Sequence, residues 1–356
     1  MSQVMSPAQT GPDLPGAIMT AEIQEQPTAL ERLLVEGLAN IQAVAAVVAH
    51  AHPKFILLAA RGTSDHAALY AKYLVETRLR TPGGLVSPST FTVYDTAPDL
   101  RDVLWVCVSQ SGRSPDLVEA TSRARHAGAF TLAVTNDADS PLNQIADLGI
   151  DVLAGPERAV AATKSYTNEL LALYLLVDAL TGGDASQTRR LPELAQQVVD
   201  RAEANAFVPK YRFVERLIVT GRGYSYPTAR EGALKLMETS RLSAHAFSSA
   251  DLMHGPLALV DARVPVIAVV PYGVAGSAME PALDRLRGTG AEIMVVGDSS
   301  RAPLGSDSIW LPDDLSDALA PIIQVIPLQQ LACGVAVSVG LDPDAPRGLA
   351  KVTHTR

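Results

Sequence analysis

Short apolar runs alternate with longer stretches of helical period along almost the whole chain. Residues 55–60, 103–108, 130–134 and 149–153 read as buried strands, with 91–94 as a shorter one. Residues 19–38, 41–51, 67–79, 115–126 and 161–180 carry the helical period between and around them. The second half repeats the alternation: strands at 217–220, 266–270, 292–296 and 308–311, helices at 191–204, 227–240 and 319–339. Strand and helix in turn predict an α/β fold with parallel sheets.

Between residues 181 and 187 the pattern gives way to Gly, Asp, Ala and Ser, which marks a boundary. The expected organisation is a disordered lead-in at 1–17, a first domain at 18–190, a second at 191–341 and a polar tail at 342–356. A length of 356 residues, 47% hydrophobic and 19% charged, suits two ordinary cores. The net charge of −9, with no basic run longer than a pair, argues against nucleic acid or a polybasic membrane surface as partner. Cys107 and Cys333 stand alone in apolar segments, as small core residues of a reduced compartment. The start lacks the charged and apolar regions of a signal peptide, and the most apolar stretch, 170–180, is too short to span a bilayer. A soluble, cytoplasmic protein is expected.

Two strand-to-helix turns stand out. Strand 103–108 runs into Ser109-Gln110-Ser111-Gly112-Arg113-Ser114, and strand 55–60 into Arg61-Gly62-Thr63-Ser64-Asp65. Hydroxyls gathered at a helix start, where N–H groups lack partners and the dipole is positive, suit an anion, and a phosphate fits best. The alternative is that Ser111 or Ser114 merely caps the helix. Arg61-Gly62-x-Ser64 recurs as Arg222-Gly223-x-Ser225, which indicates two similar domains. The counterpart of the serine turn in the second copy reads Pro271-Tyr272-Gly273-Val274, so one phosphate site is expected, in the first domain. In open α/β sheets ligands sit beyond the carboxyl ends of the strands, where both turns fall. Arg61 and Arg113 add charge there. A dinucleotide fits poorly, because Gly221-x-Gly223 continues to Tyr226 where a third glycine is needed.

Acid–base candidates lie in the second half. Steps of four and three residues place Glu231, Lys235 and Glu238 on one helix face. They form either an exposed ion-pair stripe or, given Ala233, Leu234, Leu236 and Met237 around them, a partly buried carboxylate beside an ammonium, with Glu238 as base. His254 stands in a Gly-Pro turn, where a lone histidine is more often structural.

With these residues in view, the chain resembles the sugar isomerase (SIS) family: the isomerase half of glucosamine-6-phosphate synthase and stand-alone amino-sugar-phosphate deaminases. The resemblance rests on Glu22-Ile23-Gln24-Glu25-Gln26-Pro27, Gly62-Thr63-Ser64, Ser109-Gln110-Ser111-Gly112, Val160-Ala161-Ala162-Thr163-Lys164, Glu231-Gly232-Ala233-Leu234-Lys235-Leu236, His254-Gly255-Pro256-Leu257-Ala258-Leu259 and Pro346-Arg347-x-Leu349-Ala350-Lys351. It implies two tandem SIS domains, each a flavodoxin-like parallel sheet flanked by helices. It further implies phosphate binding by Gly62, Thr63, Ser64, Ser109, Gln110, Ser111 and Ser114, and sugar contact at Val160 and Ala162. Glu238 becomes the C1–C2 proton carrier, His254 the ring-opening histidine, Lys351 an imine-forming lysine and Lys235 a further active-site lysine. A homodimer with His254 shared across the interface is implied, and no metal or organic cofactor.

Only a short segment precedes the first matching stretch, so glutamine-dependent synthesis is expected to be absent. Arg113, Arg61 and Ala162 stand where the synthase has acidic, small and serine residues. The expected reaction is conversion of glucosamine 6-phosphate to fructose 6-phosphate and ammonia. The alternatives are another phosphosugar isomerase or deaminase, acting on galactosamine 6-phosphate or a fructosamine phosphate, and a non-catalytic sugar-phosphate sensor.

Overall fold

In the computed structural model, which describes residues 14–351, the apolar runs form two five-stranded sheets. The first contains β1 (Phe55–Ala59), β2 (Gly83–Leu85), β3 (Val103–Ser109), β4 (Phe130–Thr135) and β5 (Leu148–Asp151), in the order β2-β1-β3-β4-β5. The second contains β6 (Arg216–Gly221), β7 (Ser243–Ser248), β8 (Val266–Val270), β9 (Ile293–Gly297) and β10 (Asp307–Trp310), in the order β10-β9-β8-β6-β7. Every pairing is parallel, and the second order is the first read from the other edge. Each sheet therefore reverses direction beside its first strand, between β1 and β3 and between β6 and β8. Ligand turns gather at such a switch point.

Three sequence expectations need correction. Residues 91–94 do not form a strand: Ser89–Thr92 is a helical turn that follows Pro88 and buries Phe91 edge-on against Trp105. The edge strands β2 and β7 were not expected; β2 has three residues, and β7 is Ser-Ala-His-Ala-Phe-Ser, with one large apolar side chain and no apolar run. Of the lead-in expected at 1–17, residues 1–13 lie outside the described residues. Residues 14–16 form a turn that enters the helix Ala17–Gln24. The tail fixes that entry. The Asp344 carboxylate accepts the N–H groups of Ile18 and Met19 at 3.0 and 2.7 Å, as a capping acid would from outside the helix.

The two repeats share one core. Tyr70, Leu170 and Tyr174 of the first pack in the same apolar cluster as Ala233, Val325 and Leu328 of the second. Tyr70 Oη donates to the Ala318 carbonyl at 2.6 Å across the seam. The helix Leu191–Arg201, placed at the head of the second domain by its sequence position, packs on Gln26–Arg32 of the first. Helix Ser225–Ser240 lies along Ala320–Ser338, and Gly232 makes the close approach: a Cβ there would stand 2.7 Å from Leu328 Cδ1. Cys107 and Cys333 are buried free thiols, pushed up to about 12 and about 11 by burial.

Candidate active site

The serine turn at the end of β3 is built by Gly112, whose φ of 59° lies in the left-handed region. A Cβ at Gly112 would meet Ser140 Oγ at 2.2 Å, so only glycine lets the turn pass Ser140. Ser109 Oγ accepts the Gly112 N–H and Ser111 Oγ accepts the Arg113 N–H, at 3.2 and 3.3 Å. Both hydroxyl hydrogens are thus left for another acceptor. Ser114 is the N-cap of the helix Pro115–His126, yet its side chain makes no capping hydrogen bond. The capping role weighed from the sequence is therefore not taken up by Ser114. Gly62 opens the helix Thr63–Leu74 in a second glycine-only conformation, φ 57° and ψ −128°.

These turns form one wall of a cavity of about 310 Å³. Gly62, Thr63, Ser64, Ser109, Gln110, Ser111, Ser114, Val160, Ala162, Lys235, Glu238 and Lys351 all line it, so twelve of the thirteen expected site residues come together. His254 does not line this cavity; it is exposed, after the helix Ser249–Met253. The equivalent turn of the second repeat is backed by a cavity of about 10 Å³, between Pro271, Tyr272, Leu315 and Gln324. That is at the limit for a single water, so the two repeats differ in the space behind these turns. Neither arginine near the serine turn is unpaired: Arg61 Nε bonds Asp116 at 2.8 Å and Arg113 bonds Asp137 at 2.6 Å.

The expected helix face holds a buried network. Lys235 Nζ donates to Glu238 and, at 3.1 Å, to Thr63 Oγ1, and stands 3.4 Å from Glu231. Glu231 also accepts from Thr63 Oγ1 at 3.1 Å and pairs with His66 Nδ1 at 2.7 Å. Burial disfavours the Lys235 ammonium, but Glu231 and Glu238 override it and hold the ammonium above the usual lysine value. Burial likewise pulls Glu231 upward, yet Lys235 and His66 hold it below the usual carboxylate value. The exposed-stripe alternative is excluded, because Lys235 and Glu231 have 1% and 0% of their side chains exposed while Glu238 keeps 23%. Glu238 is the carboxylate of the stripe that reaches the cavity.

Lys351 arrives from the tail. Its ammonium donates to Glu157 Oε2 and to the Ala159 carbonyl, each at 2.8 Å, and the Asp344 carbonyl accepts the Val160 N–H at 3.0 Å. Glu157 is buried and also accepts the N–H groups of Thr163 and Ser165 and the Ser165 hydroxyl. Burial raises its carboxyl, but Lys351 and these donors bring it below the usual value.

His66, Glu157, Ser165 and Glu169 escape the sequence reading. Glu169 Oε1 lies 2.9 Å from Ser64 Oγ, behind the cavity wall. The signal for Glu169 is its place at the head of the apolar run 170–177; Glu157, between Pro156 and Arg158, and His66 carry no comparable signal.

The fold and this cavity define a class, tandem doubly wound α/β proteins with a hydroxyl-lined cavity at the seam between repeats. The chain belongs to the SIS domain family, whose model matches residues 51–179 and 210–339. Over 94% of its length it is 35% identical to the isomerizing glutamine–fructose-6-phosphate aminotransferase of Methanothermobacter thermautotrophicus, of which it spans 56%. The chain thus spans a little over half the length of the curated relatives it matches. The C-terminal domain of glucosamine-fructose-6-phosphate aminotransferase from Francisella tularensis has the same fold, with a TM-score of 0.84, 29% identity and coverage of 95% of this chain and 100% of that one. Glucosamine-6-phosphate deaminase from Thermotoga maritima shares the fold, with a TM-score of 0.76 at 22% identity, covering 95% and 99%.

Proposed function

We propose that the chain is an amino-sugar-phosphate isomerase that deaminates glucosamine 6-phosphate to fructose 6-phosphate and ammonia. The observation that carries this reading is the single cavity in which hydroxyls with free hydrogens face Glu238 and two lysines. The phosphate anchors on Ser64, Ser109, Ser111 and Ser114 and the helix N–H groups behind them. Glu238 takes the C2 proton of the open-chain sugar and returns it at C1. The C2 iminium that results loses ammonia to water. The Lys235 ammonium holds Glu238 in place by its hydrogen bond and faces the negative charge that develops on the sugar oxygen. Lys351 in its paired form contributes positive charge, and attacks a sugar carbonyl as an amine only after passing a proton on.

His254 opens the ring from a second copy of the chain, in a homodimer. Its exposure, and its place outside the cavity of its own subunit, support that assignment.

The test is ammonia release from purified protein given glucosamine 6-phosphate, with galactosamine 6-phosphate alone and glutamine plus fructose 6-phosphate in parallel. Release from glucosamine 6-phosphate supports the reading. Silence there, with release from galactosamine 6-phosphate or glucosamine 6-phosphate formed from glutamine, overturns it.

A further inference from the structure

Glu169 is the strongest unassigned feature of the molecule, and the role given to it here rests on the reading that Ser64 meets the phosphate of the substrate. We propose that Glu169 is a neutral carboxylic acid that donates its hydrogen to Ser64 Oγ and so turns the Ser64 hydroxyl hydrogen into the cavity toward the anion. Glu169 is a positioning residue: it lies behind Ser64 and does not line the cavity.

Three observations carry the assignment. Glu169 is 1% exposed and has no ion-pair partner among the described residues, and a buried carboxylate without a cation is far costlier than its neutral form. Its Oε2 atom has no hydrogen-bond partner among the described residues. An unpaired carbonyl oxygen of a neutral acid costs much less than an unpaired half of a carboxylate.

The third observation is the pattern around the anion site. Ser109 and Ser111 are each fed by an N–H from behind and keep their own hydrogens for the ligand. Glu169 is the side chain that holds this place behind Ser64. An ionised Glu169 would do the reverse and draw the Ser64 hydrogen out of the cavity. A carboxylic acid kept neutral by an apolar site so that it can donate is known chemistry.

The charged surroundings agree. Burial pushes the Glu169 carboxyl well above the usual carboxylate value; the Ser64 hydrogen bond pulls against this, Glu157 and Glu231 add to it, and Lys351 opposes it. Tyr166, on the same helix, is buried and neutral with its hydroxyl unpartnered.

The experiment measures fructose 6-phosphate binding by calorimetry in Glu169→Gln, Glu169→Leu and Ser64→Ala. The amide of Gln still donates, so Glu169→Gln is expected to bind within about threefold of the parent, whereas Glu169→Leu and Ser64→Ala each lose about tenfold. A second readout guards against misfolding. A carboxyl whose folded pKa is raised costs stability progressively as pH rises above its unfolded value of about 4.3, so Glu169→Gln should melt higher than the parent by a margin that widens with pH. Binding lost in Glu169→Gln as fully as in Glu169→Leu, or a melting margin flat with pH, overturns the proposal. Unchanged binding in Ser64→Ala instead overturns the phosphate reading beneath it.

Discussion

Glu238 is the one carboxylate of the buried stripe that water and substrate can reach, and its ammonium partner is anchored on the far side by Glu231 and Thr63. Glu238→Gln keeps size and packing but removes the base. Turnover should fall by about 10²- to 10⁴-fold with sugar-phosphate affinity nearly unchanged, measured as kcat against calorimetric Kd. Residual activity near that of the parent would remove Glu238 from the base role.

The lowered carboxyls of Glu231 and Glu157 set the acid limit. Their stabilisation is complete above the unfolded value of about 4.3 and is lost as pH falls through the folded values. Urea unfolding below pH 5 should show that loss, and Glu157→Gln should flatten part of it. The position of Glu238 on its helix face was legible in the sequence because side chains three and four residues apart must share a face. The pairing of that stripe with Thr63 and His66 was not, because those arrive from another repeat.

At the scale of elements, the seam between helices Ser225–Ser240 and Ala320–Ser338 depends on Gly232. Gly232→Val drives two methyl groups into buried Leu328, and the expected cost is about 1–3 kcal/mol in denaturant unfolding, through overpacking. The serine turn depends in the same way on Gly112, whose place Ser140 leaves too small for a Cβ. Gly112→Ala should weaken sugar-phosphate binding and also lower the melting temperature, because the turn is buried against Ser140 and an added Cβ meets both that side chain and a left-handed φ. A melting loss without a binding loss would reverse that assignment.

Elements with a strong apolar run, β3, β4, β8 and β9, are written plainly in the sequence, because a strand buried on both faces needs such a run. The edge strands β2 and β7 are not. An edge strand is buried less and tolerates Gly, Ser and His, so its pattern carries little signal. Residues 91–94 misled for the opposite reason: Phe, Val and Tyr suit a strand, but Pro88 starts a helical turn and the pocket beside Trp105 takes Phe91 in that form.

At the scale of the molecule, one apolar cluster runs through both repeats, and the tail crosses back to the first helix and to Val160. The repeats should therefore unfold together, as one calorimetric transition rather than two. Asp344→Ala should lower that transition by roughly the worth of its charged cap, about 1–2 kcal/mol, and weaken Lys351-dependent turnover in parallel, since the same tail carries both residues.

The sequence by itself determined the α/β class, the repeat, the two hydroxyl-bearing turns and the Glu231-Lys235-Glu238 stripe, because each is encoded by local periodicity or by neighbouring residues along one turn or one helix face. Tertiary structure alone decided that the serines of the first repeat, Glu238 of the second and Lys351 of the tail share one cavity. It alone supplied Glu157, His66 and Glu169 as the partners of Lys351, Glu231 and Ser64. The physical reason is that burial and electrostatic partnership depend on which surfaces meet, and here the partners lie a hundred or more residues apart in the chain.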